Sequence, residues 1–301
     1  MKTFLSSLLV FLATNYVCQR GWYWEVTKRF RRTKQITVSM DKTFCFANFG
    51  LIAKRLYEQE PLVRYNKGFE QKTIDIILRI VQSDFVTLDI GANIGLHSLV
   101  MASCFEKDSS CRVYAFEPSK KTFDALGENI KLNGFEDRIV ALNAALSDKP
   151  GRLMLATPDE YTKLGKNSDP YKSLQKSPSA NGTGEEVEVI TLDNWAKSNN
   201  VEKIDFIKID IEGAELECFK GALEVFRKRR PIMVMECYEP FCSRFGYSVS
   251  DVVLFMNEVG YKMFQYEESQ WIAIPKEKIL AVSLSLADVM PGLASIAKQL
   301  A

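Results

Sequence analysis

The stretch that most constrains how this chain can fold is residues 86–99, VTLDIGANIGLHSL. A run of apolar and β-branched residues up to Ile90 predicts a buried strand, Gly91 ends that strand, and Gly95 opens an apolar helical pattern. Glycines in such a turn carry no Cβ that would hold a ligand away from the backbone, and the new helix presents unpaired N–H groups. The stretch therefore predicts a strand, turn and helix that can cradle a nucleotide or nucleoside.

The residues around this turn narrow the class of ligand. The spacing Gly-Ala-Asn-Ile-Gly lacks the pattern G-x-G-x-x-G that lets a backbone approach a pyrophosphate. Asp89, just before the turn, would repel a phosphate but would accept hydrogen bonds from an amine, which suits the amino-acid end of S-adenosylmethionine. Glu117 follows a second strand-like run about 20 residues after the turn, where α/β nucleotide sites hold ribose hydroxyls with a carboxylate. The turn alone is compatible with simple packing, but the turn together with Glu117 favours a nucleoside site.

A second chemically rich stretch is residues 208–215, KIDIEGAE. The strand period of two puts Lys208 and Asp210 on one side of a strand, and a glycine leads into the next helix. Asp210 should then emerge at the carboxyl end of a central strand, where open α/β sheets bind ligands. Asp210 and Glu212 could act as a general base, share a divalent metal, or cap the helix that follows. Glu215 is interpreted as ordinary charge in the first turn of that helix.

Composition bounds the class of protein. The chain has 301 residues, of which 47% are hydrophobic, so it can form one large globular domain or two small ones. A formal charge of +1 argues against a nucleic-acid partner, although short basic runs occur at residues 29–34 and 227–230. The seven cysteines show no C-x-x-C spacing, so reduced thiols are expected and zinc is not.

Strand and helix patterns alternate along most of the chain, which predicts a parallel, doubly wound α/β sheet. Strands are predicted at residues 86–90, 112–116, 139–142, 152–156, 187–192, 204–209 and 231–236, and helices at 73–81, 95–105, 120–133, 214–226 and 250–259. An antiparallel hairpin at residues 261–266 and 270–274 should close the sheet. Residues 69–278 are thus predicted to form the main domain.

Three segments lie outside this alternation. Residues 1–68 should form a cap, with an apolar helix at 4–17, a hairpin from residues 36–38 and 44–46, and a helix at 51–57. The apolar stretch could be a signal or an anchor that brings residues 1–20 to a membrane, but polar residues interrupt it and it is too short to span a bilayer. A packed helix and a cytoplasmic protein are therefore favoured. The polar insertion at 157–186 is either a disordered surface loop or a substrate lid, and residues 279–301 form a helical tail.

Taken together, the motifs resemble the FkbM family of S-adenosylmethionine-dependent methyltransferases. They run in the family's order, between residues 69 and 236, as LDIGANIG (88–95), FEP (116–118), AALSD (144–148), TLD (191–193) and KIDIEG (208–213). Each motif is common, whereas five in one order are hard to obtain by chance. The resemblance implies a Rossmann-like class I methyltransferase fold with a seven-stranded sheet. It also implies O-methylation of a hydroxyl, often on a sugar, glycan or polyketide-like small molecule.

The resemblance further implies a role for seven residues of a cofactor site. Asp89, Gly91, Asn93 and Gly95 would line the methionine end of S-adenosylmethionine, Glu117 would take the ribose hydroxyls, and Ser147 with Asp148 would lie beside the adenine. The N-terminal segment, the insertion and the tail depart from the family's usual core, so they would decide the acceptor.

The methyl transfer itself needs an aligned hydroxyl and a base near it. Asp210 is the first candidate for this catalytic base and Glu212 the second, whereas His97, the single histidine, is interpreted as a packing residue. Asp210, Glu212 and Glu236 are also hard oxygen ligands of the kind that Mg²⁺ prefers, but carboxylates alone do not establish a metal. Three aromatic residues after Glu236 would form either an acceptor wall or part of the core, namely Tyr238, Phe241 and Tyr247.

Two other functions use the same fold. An NAD-dependent oxidoreductase would also need Glu117, but the missing glycine of its fingerprint counts against it. A non-catalytic module for cofactor binding or protein interaction would keep the fold without the chemistry. The sequence favours the methyltransferase over both.

Overall fold

The computed structural model describes residues 33–39, 42–47, 70–106, 111–157, 173–175, 184–293 and 295. Within these ranges the strands are β1 (Thr33–Ser39), β2 (Lys42–Ala47), β3 (Thr87–Ile90), β4 (Val113–Phe116), β5 (Ile139–Leu142), β6 (Ala145–Leu146), β7 (Gly151–Ala156), β8 (Ser173–Gln175), β9 (Glu185–Ile190), β10 (Phe206–Ile209), β11 (Ile232–Glu236), β12 (Tyr261–Gln265) and β13 (Gln270–Pro275). The helices are α1 (Gln71–Ile80), α2 (Leu96–Ala102), α3 (Lys120–Leu132), α4 (Leu192–Ser198), α5 (Glu215–Lys220), α6 (Leu223–Lys228), α7 (Glu239–Arg244), α8 (Val249–Glu258) and α9 (Ile279–Ser285).

A seven-stranded sheet forms the centre of the protein, in the order β12-β13-β11-β10-β3-β4-β5. β13 runs antiparallel to both of its neighbours, and the other pairings are parallel. This confirms the predicted mostly parallel, doubly wound sheet and its closing hairpin. The strand order changes direction between β3 and β10, which is the switch point where open α/β sheets bind ligands.

Two hydrophobic layers cover the two faces of this sheet. On one face, α1, α2, α3 and α9 pack against β4, β10 and β11 through residues such as Ile77, Leu99 and Phe206. On the other face, α4, α5, α6 and α8 pack against Ile207, Ile209 and their neighbours. Because side chains alternate along a strand, Lys208 points to the same face as Phe206. A lysine therefore enters the layer that contains α1 and α2.

A second, smaller sheet in the order β6-β9-β7-β8 stands beside the first. It contains the strands predicted at residues 152–156 and 187–192, and the second of these ends at Ile190 because Thr191 caps α4 through a hydrogen bond from the Asn194 N–H. β8 comes from the polar insertion and pairs antiparallel with β7. At least this part of the insertion is therefore ordered sheet.

The helix predicted at residues 214–226 is two helices, α5 and α6, separated by Gly221 and Ala222. A Cβ on Gly221 would lie 2.1 Å from the backbone oxygen of Ser147, so the chain turns where another loop approaches it. Asp193 then caps α6, since its carboxylate accepts hydrogen bonds from the N–H groups of Glu224 and Val225, both at 2.9 Å. The break follows from these long-range contacts. Helix α7 was not predicted.

The predicted N-terminal hairpin is confirmed as the antiparallel pair β1 and β2. The helices predicted at residues 4–17 and 51–57, the possible membrane contact of residues 1–20 and most of the 157–186 insertion lie outside the described residues. Among the described helices, none has both the length and the apolar character that crossing a bilayer requires. In the described part of the chain, Cys104, Cys111, Cys218, Cys237 and Cys242 are free thiols.

Candidate functional site

The glycine turn between β3 and α2 packs directly against the loop after β10. Gly91 has a φ of 76°, and a Cβ at this position would lie 1.9 Å from the backbone oxygen of Asp210. The N–H groups of Gly91 and Ala92 both donate to the Phe116 carbonyl, at 3.0 and 2.9 Å. Only glycine fits this position, and the close approach holds the ends of β3 and β10 together.

Glu117 fastens the turn from the end of β4. Its Oε2 accepts a hydrogen bond from the N–H of Asn93, which has a φ of 51°, and its Oε1 accepts one from the N–H of Ser119, both at 2.9 Å. The residue is 7% exposed. Each carboxylate oxygen can accept more than one hydrogen bond, so this geometry still allows Glu117 to accept from a ligand.

A crevice with an empty volume of about 700 Å³, open mouth included, lies between the turn and the end of β10. Five of the predicted site residues line it, namely Gly91, Asn93, Glu117, Asp210 and Glu212. β8 adds Ser173 and Leu174 to its wall, so the insertion contributes to the crevice. These five residues belong to three motifs that are far apart in the sequence, at 88–95, 116–118 and 208–213, and the structure brings them together.

The other predicted cofactor residues lie behind the crevice rather than in its wall. Asp89 is fully buried, and its Oδ2 accepts a hydrogen bond from the Ser98 hydroxyl at 2.6 Å. Gly95 begins α2 with a φ of 97°, where a Cβ would meet Leu126 at 2.6 Å. Asp89 and Gly95 therefore shape the turn from the inside.

Ser147 and Asp148 lie in the loop after β6, and this end of the crevice is lined instead by Ala144, Ala145 and Leu146. The Ser147 N–H donates to the Ile190 carbonyl at 3.1 Å. The AALSD motif thus meets the crevice through its first three residues.

Three carboxylates meet at the carboxyl ends of β10 and β11. One oxygen each of Asp210, Glu212 and Glu236 lies within 4.8 Å of the others. Glu212 has a φ of 56° and is 8% exposed, and Glu236 accepts hydrogen bonds from the Ser269 hydroxyl and the Gln270 amide. The ammonium of Lys208 lies 3.5 Å from Asp210, so this cluster already contacts a cation from the protein itself.

Glu215 holds the loop that carries these carboxylates, a role that sequence reasoning missed. It is 1% exposed, and its Oε1 accepts hydrogen bonds from the N–H groups of Ile211 and Gly213, at 3.2 and 3.3 Å. Burial, together with the smaller effect of the negative charge of Asp210, raises the pKa of Glu215 to about 7 against the lowering effect of these hydrogen bonds. Nothing in the local pattern distinguishes this glutamate from an exposed first-turn residue.

The aromatic residues after β11 support the same loop. The Tyr247 hydroxyl donates to the Gly213 carbonyl and accepts from the Leu216 N–H at 3.2 Å. A Cβ on Gly213 would lie 2.4 Å from the Phe241 oxygen. The sequence left two interpretations for these aromatic residues, an acceptor wall or part of the core. The contacts of Tyr247 fit the second, because it packs against the hydrophobic core.

His97 is buried in the first turn of α2, as the packing interpretation expected. Its Nε2 lies 2.7 Å from a carboxylate oxygen of Glu70, the residue before α1. This contact ties the start of α1 to α2 on the face of the sheet where Lys208 lies.

Comparison with protein families gives a match over residues 89–263 to the model described as the methyltransferase FkbM domain. The described residues that line the crevice, from Ile90 to Glu212, lie within this range. The match continues to the closing hairpin, 27 residues beyond the end of β11 at Glu236.

Curated relatives are also methyltransferases. Methyltransferase sdnD of Sordaria araneosa is 30% identical over 197 residues, which cover 58% of this chain and 74% of that protein. Hexuronic acid methyltransferase AglP of Haloferax volcanii is 30% identical over 156 residues, covering 50% and 56%. 2-O-methyltransferase NoeI of Sinorhizobium fredii is 28% identical over 185 residues, covering 57% and 74%. The match therefore leaves almost half of AglP uncovered.

Among solved structures, methyltransferase FkbM from Methylobacillus flagellatus KT is 19% identical, with a TM-score of 0.40 over 64% of this chain and 44% of that one.

Proposed function

The chain belongs to the FkbM methyltransferase domain family, and from its crevice we propose that it transfers a methyl group from S-adenosylmethionine to a hydroxyl of a small-molecule or glycan acceptor. The observation that carries this proposal is that Glu117, Gly91 and Asp210, from three different strand ends, border one crevice. Methyl transfer requires the sulfonium, its methyl and the acceptor oxygen in line, and a crevice at a sheet switch point can align them.

The residues present fit S-adenosylmethionine. Gly91, Asn93 and Glu117 line one crevice, and the Glu117 carboxylate has oxygens that can accept hydrogen bonds from hydroxyl groups. We propose that Gly91 and Asn93 contact the methionine end and that Glu117 accepts the ribose hydroxyls. Asp89 and Gly95 would act from behind by shaping the turn, and Ser147 with Asp148 would fix the loop at the adenine end. When bound, the cofactor supplies the electrophilic methyl group.

Asp210 is the proposed general base for the acceptor hydroxyl, with Glu212 beside it. The Asp210 side chain is 17% exposed at the edge of the crevice, so it can reach both solvent and acceptor. A positioned base contributes about a hundred- to ten-thousand-fold to the rate. The names of two relatives, a hexuronic acid methyltransferase and a 2-O-methyltransferase, favour a sugar hydroxyl as the acceptor.

Titration calorimetry tests the cofactor first. S-adenosylmethionine should bind and NAD should not, because the turn lacks the second glycine that a pyrophosphate needs. Binding of NAD without S-adenosylmethionine would support the oxidoreductase instead. Methyl transfer to uronic acids, sugars and polyhydroxylated small molecules is then measured by mass spectrometry. Cofactor binding without any methyl transfer would support the non-catalytic module.

Asp210→Asn then tests the base. Turnover should fall by about a hundred- to ten-thousand-fold, while the dissociation constant of S-adenosylmethionine stays within about threefold, because the amide keeps the size of the carboxyl group. Asp137→Asn is the matched control, since Asp137 is exposed and lies just before β5, the strand at one edge of the sheet. Wild-type turnover in Asp210→Asn would remove Asp210 from the reaction.

A further inference from the structure

Lys208 is a buried cation that the proposed reaction does not yet use. The residue is 6% exposed, and its ammonium lies 3.5 Å from Asp210 Oδ2 and 4.0 Å from Asp89 Oδ1. The two carboxylates come from adjacent strands, so Lys208 brings one buried positive charge to both of them.

Its position follows from the register of the sheet. Lys208 of β10 pairs with Asp89 of β3, and the strand period of two directs Lys208 and Asp210 to one face. The ammonium thus joins carboxylates that come from two adjacent strands. Asp89 Oδ1 has no hydrogen-bond partner in the described structure, so the charge of Lys208 is what compensates it there.

Lys208 also reaches the cluster of three carboxylates at the ends of β10 and β11. Asp210, Glu212 and Glu236 bring one oxygen each within 4.8 Å of the others, and like charges at this separation repel one another. Sites built from such carboxylates commonly neutralise themselves with a divalent metal. Here an ammonium from the protein lies against Asp210, the member of the cluster that borders the crevice.

We propose that Lys208 is a positioning residue that replaces a divalent metal in this cluster, holding the Asp210 carboxylate toward the acceptor so that methyl transfer needs no added metal. The proposal rests on the proposed function in one respect, namely that Asp210 serves the acceptor hydroxyl. It predicts that Asp210 needs a cation beside it and that the Lys208 ammonium of β10 is this cation. Three N–H donors on a tethered stem can hold carboxylates of two strands at once.

The first experiment uses the wild-type protein with a chelator. Turnover in the presence of EDTA should equal turnover with added Mg²⁺ or Mn²⁺. Activity that is lost with EDTA and restored by either metal would overturn the proposal, because the carboxylates would then hold a metal despite Lys208. Binding of S-adenosylmethionine, measured separately by calorimetry, reports on the proposed function, so failure of that function is distinguished from failure of this inference.

The second experiment compares Lys208→Met, Lys208→Arg and the control Lys203→Met. Lys208→Met should lower kcat by about a hundredfold, the size of the contribution of a positioned base, with little change in KM for the cofactor. Lys208→Arg keeps the charge and should restore at least a tenth of the activity. Lys203 lies just before β10, is about half exposed and pairs with Asp84, so Lys203→Met should leave kcat unchanged. A Lys208→Met protein with wild-type kcat would overturn the proposal.

A third measurement needs no activity. Electron paramagnetic resonance of free Mn²⁺ should reveal no carboxylate site in the wild type and one site in Lys208→Met, and this site should disappear in the Lys208→Met, Asp210→Asn double variant. A wild-type site that Asp210→Asn removes would overturn the proposal. If Lys208→Met does not fold, as circular dichroism would reveal, the wild-type Mn²⁺ and EDTA experiments and the Lys208→Arg activity still decide.

Discussion

Gly91 carries the contact on which the crevice depends. Its backbone lies in the left-handed region, with a φ of 76°, and the Asp210 carbonyl occupies the place where its Cβ would be. An L residue in this conformation costs about 1–2 kcal/mol before any clash is counted. The distance between the ends of β3 and β10 is therefore set by the absence of one methyl group.

Gly91→Ala should separate those strand ends and weaken cofactor binding. We expect the dissociation constant of S-adenosylmethionine to rise at least about tenfold, equivalent to about 1.4 kcal/mol, together with a lower melting temperature. Gly127→Ala is the control, because Gly127 lies within α3 and a Cβ there meets no atom within 4 Å. That change should leave binding unaltered and stabilise the helix by up to about 1 kcal/mol. Unchanged cofactor binding in Gly91→Ala would show that the cofactor does not approach this turn.

At the scale of elements, the local patterns predicted the central sheet because each parallel strand carries its own signal. Glycine turns, β-branched runs and amphipathic helices are all encoded within a few residues. The break between α5 and α6 was not predictable in this way, since it depends on the approach of Ser147 to Gly221 and on capping by Asp193. Strand β8 was missed for the same reason, because three residues in a polar insertion become a strand only beside β7.

The same distinction between local pattern and tertiary contact applies to the candidate site. The motifs that border the crevice were identified from sequence because their glycines and carboxylates directly follow predicted strands. Their detailed roles were less accessible, since only tertiary packing puts Asp89 behind the turn and Glu215 beneath the loop. The burial of Asp89 and Glu215 depends on neighbours such as Ser98 of α2 and Tyr247. A local sequence pattern does not encode these neighbours.

Helix α5 begins at the buried residue Glu215. Because its carboxyl group holds the loop before α5, that loop should be sensitive to pH. The pKa of Glu215 is about 7 in the folded protein, and the ordinary value for a glutamate is 4.5, so between these limits the folded state binds more protons than the unfolded state. Stability from Glu215 is therefore fully present below about pH 4.5 and is lost as the pH rises through 7. The loss is on the order of 3 kcal/mol, at 1.36 kcal/mol for each pH unit.

Glu215→Gln should remove this dependence, because glutamine keeps an oxygen for the N–H groups of Ile211 and Gly213 but does not ionise. The free energy of unfolding in urea, measured from pH 4.5 to 7.5, should fall more steeply in the wild type than in the variant. Glu217→Gln, on the same helix and paired with Lys220, should follow the wild type. Parallel curves for the wild type and Glu215→Gln would mean that Glu215 is not protonated on folding.

At the scale of the whole molecule, α1 and the segment after the closing hairpin meet on one face of the sheet. Residues of α1 and α2 share a hydrophobic core with Ile279 and Val282 of α9 and with Leu286 and Leu293 beyond it. Directly after the closing hairpin, Glu277 accepts hydrogen bonds from Arg230 at both carboxylate oxygens, each at 2.8 Å. The segment after the hairpin therefore packs as part of the domain core that supports β3 and β10.

This arrangement predicts that the C-terminal segment unfolds together with the methyltransferase sheet. Leu286 is fully buried, so Leu286→Ala should lower the free energy of unfolding by about 2–5 kcal/mol, the usual cost of a cavity in a core. Leu284, two residues earlier and 70% exposed, is the matched control, and Leu284→Ala should stay within about 0.5 kcal/mol of the wild type. Calorimetry of both variants should show a single transition, because α9 and the sheet share one core. A separate low-temperature transition, or equal effects of the two substitutions, would instead identify the segment as an independent appendage whose loss leaves the crevice intact.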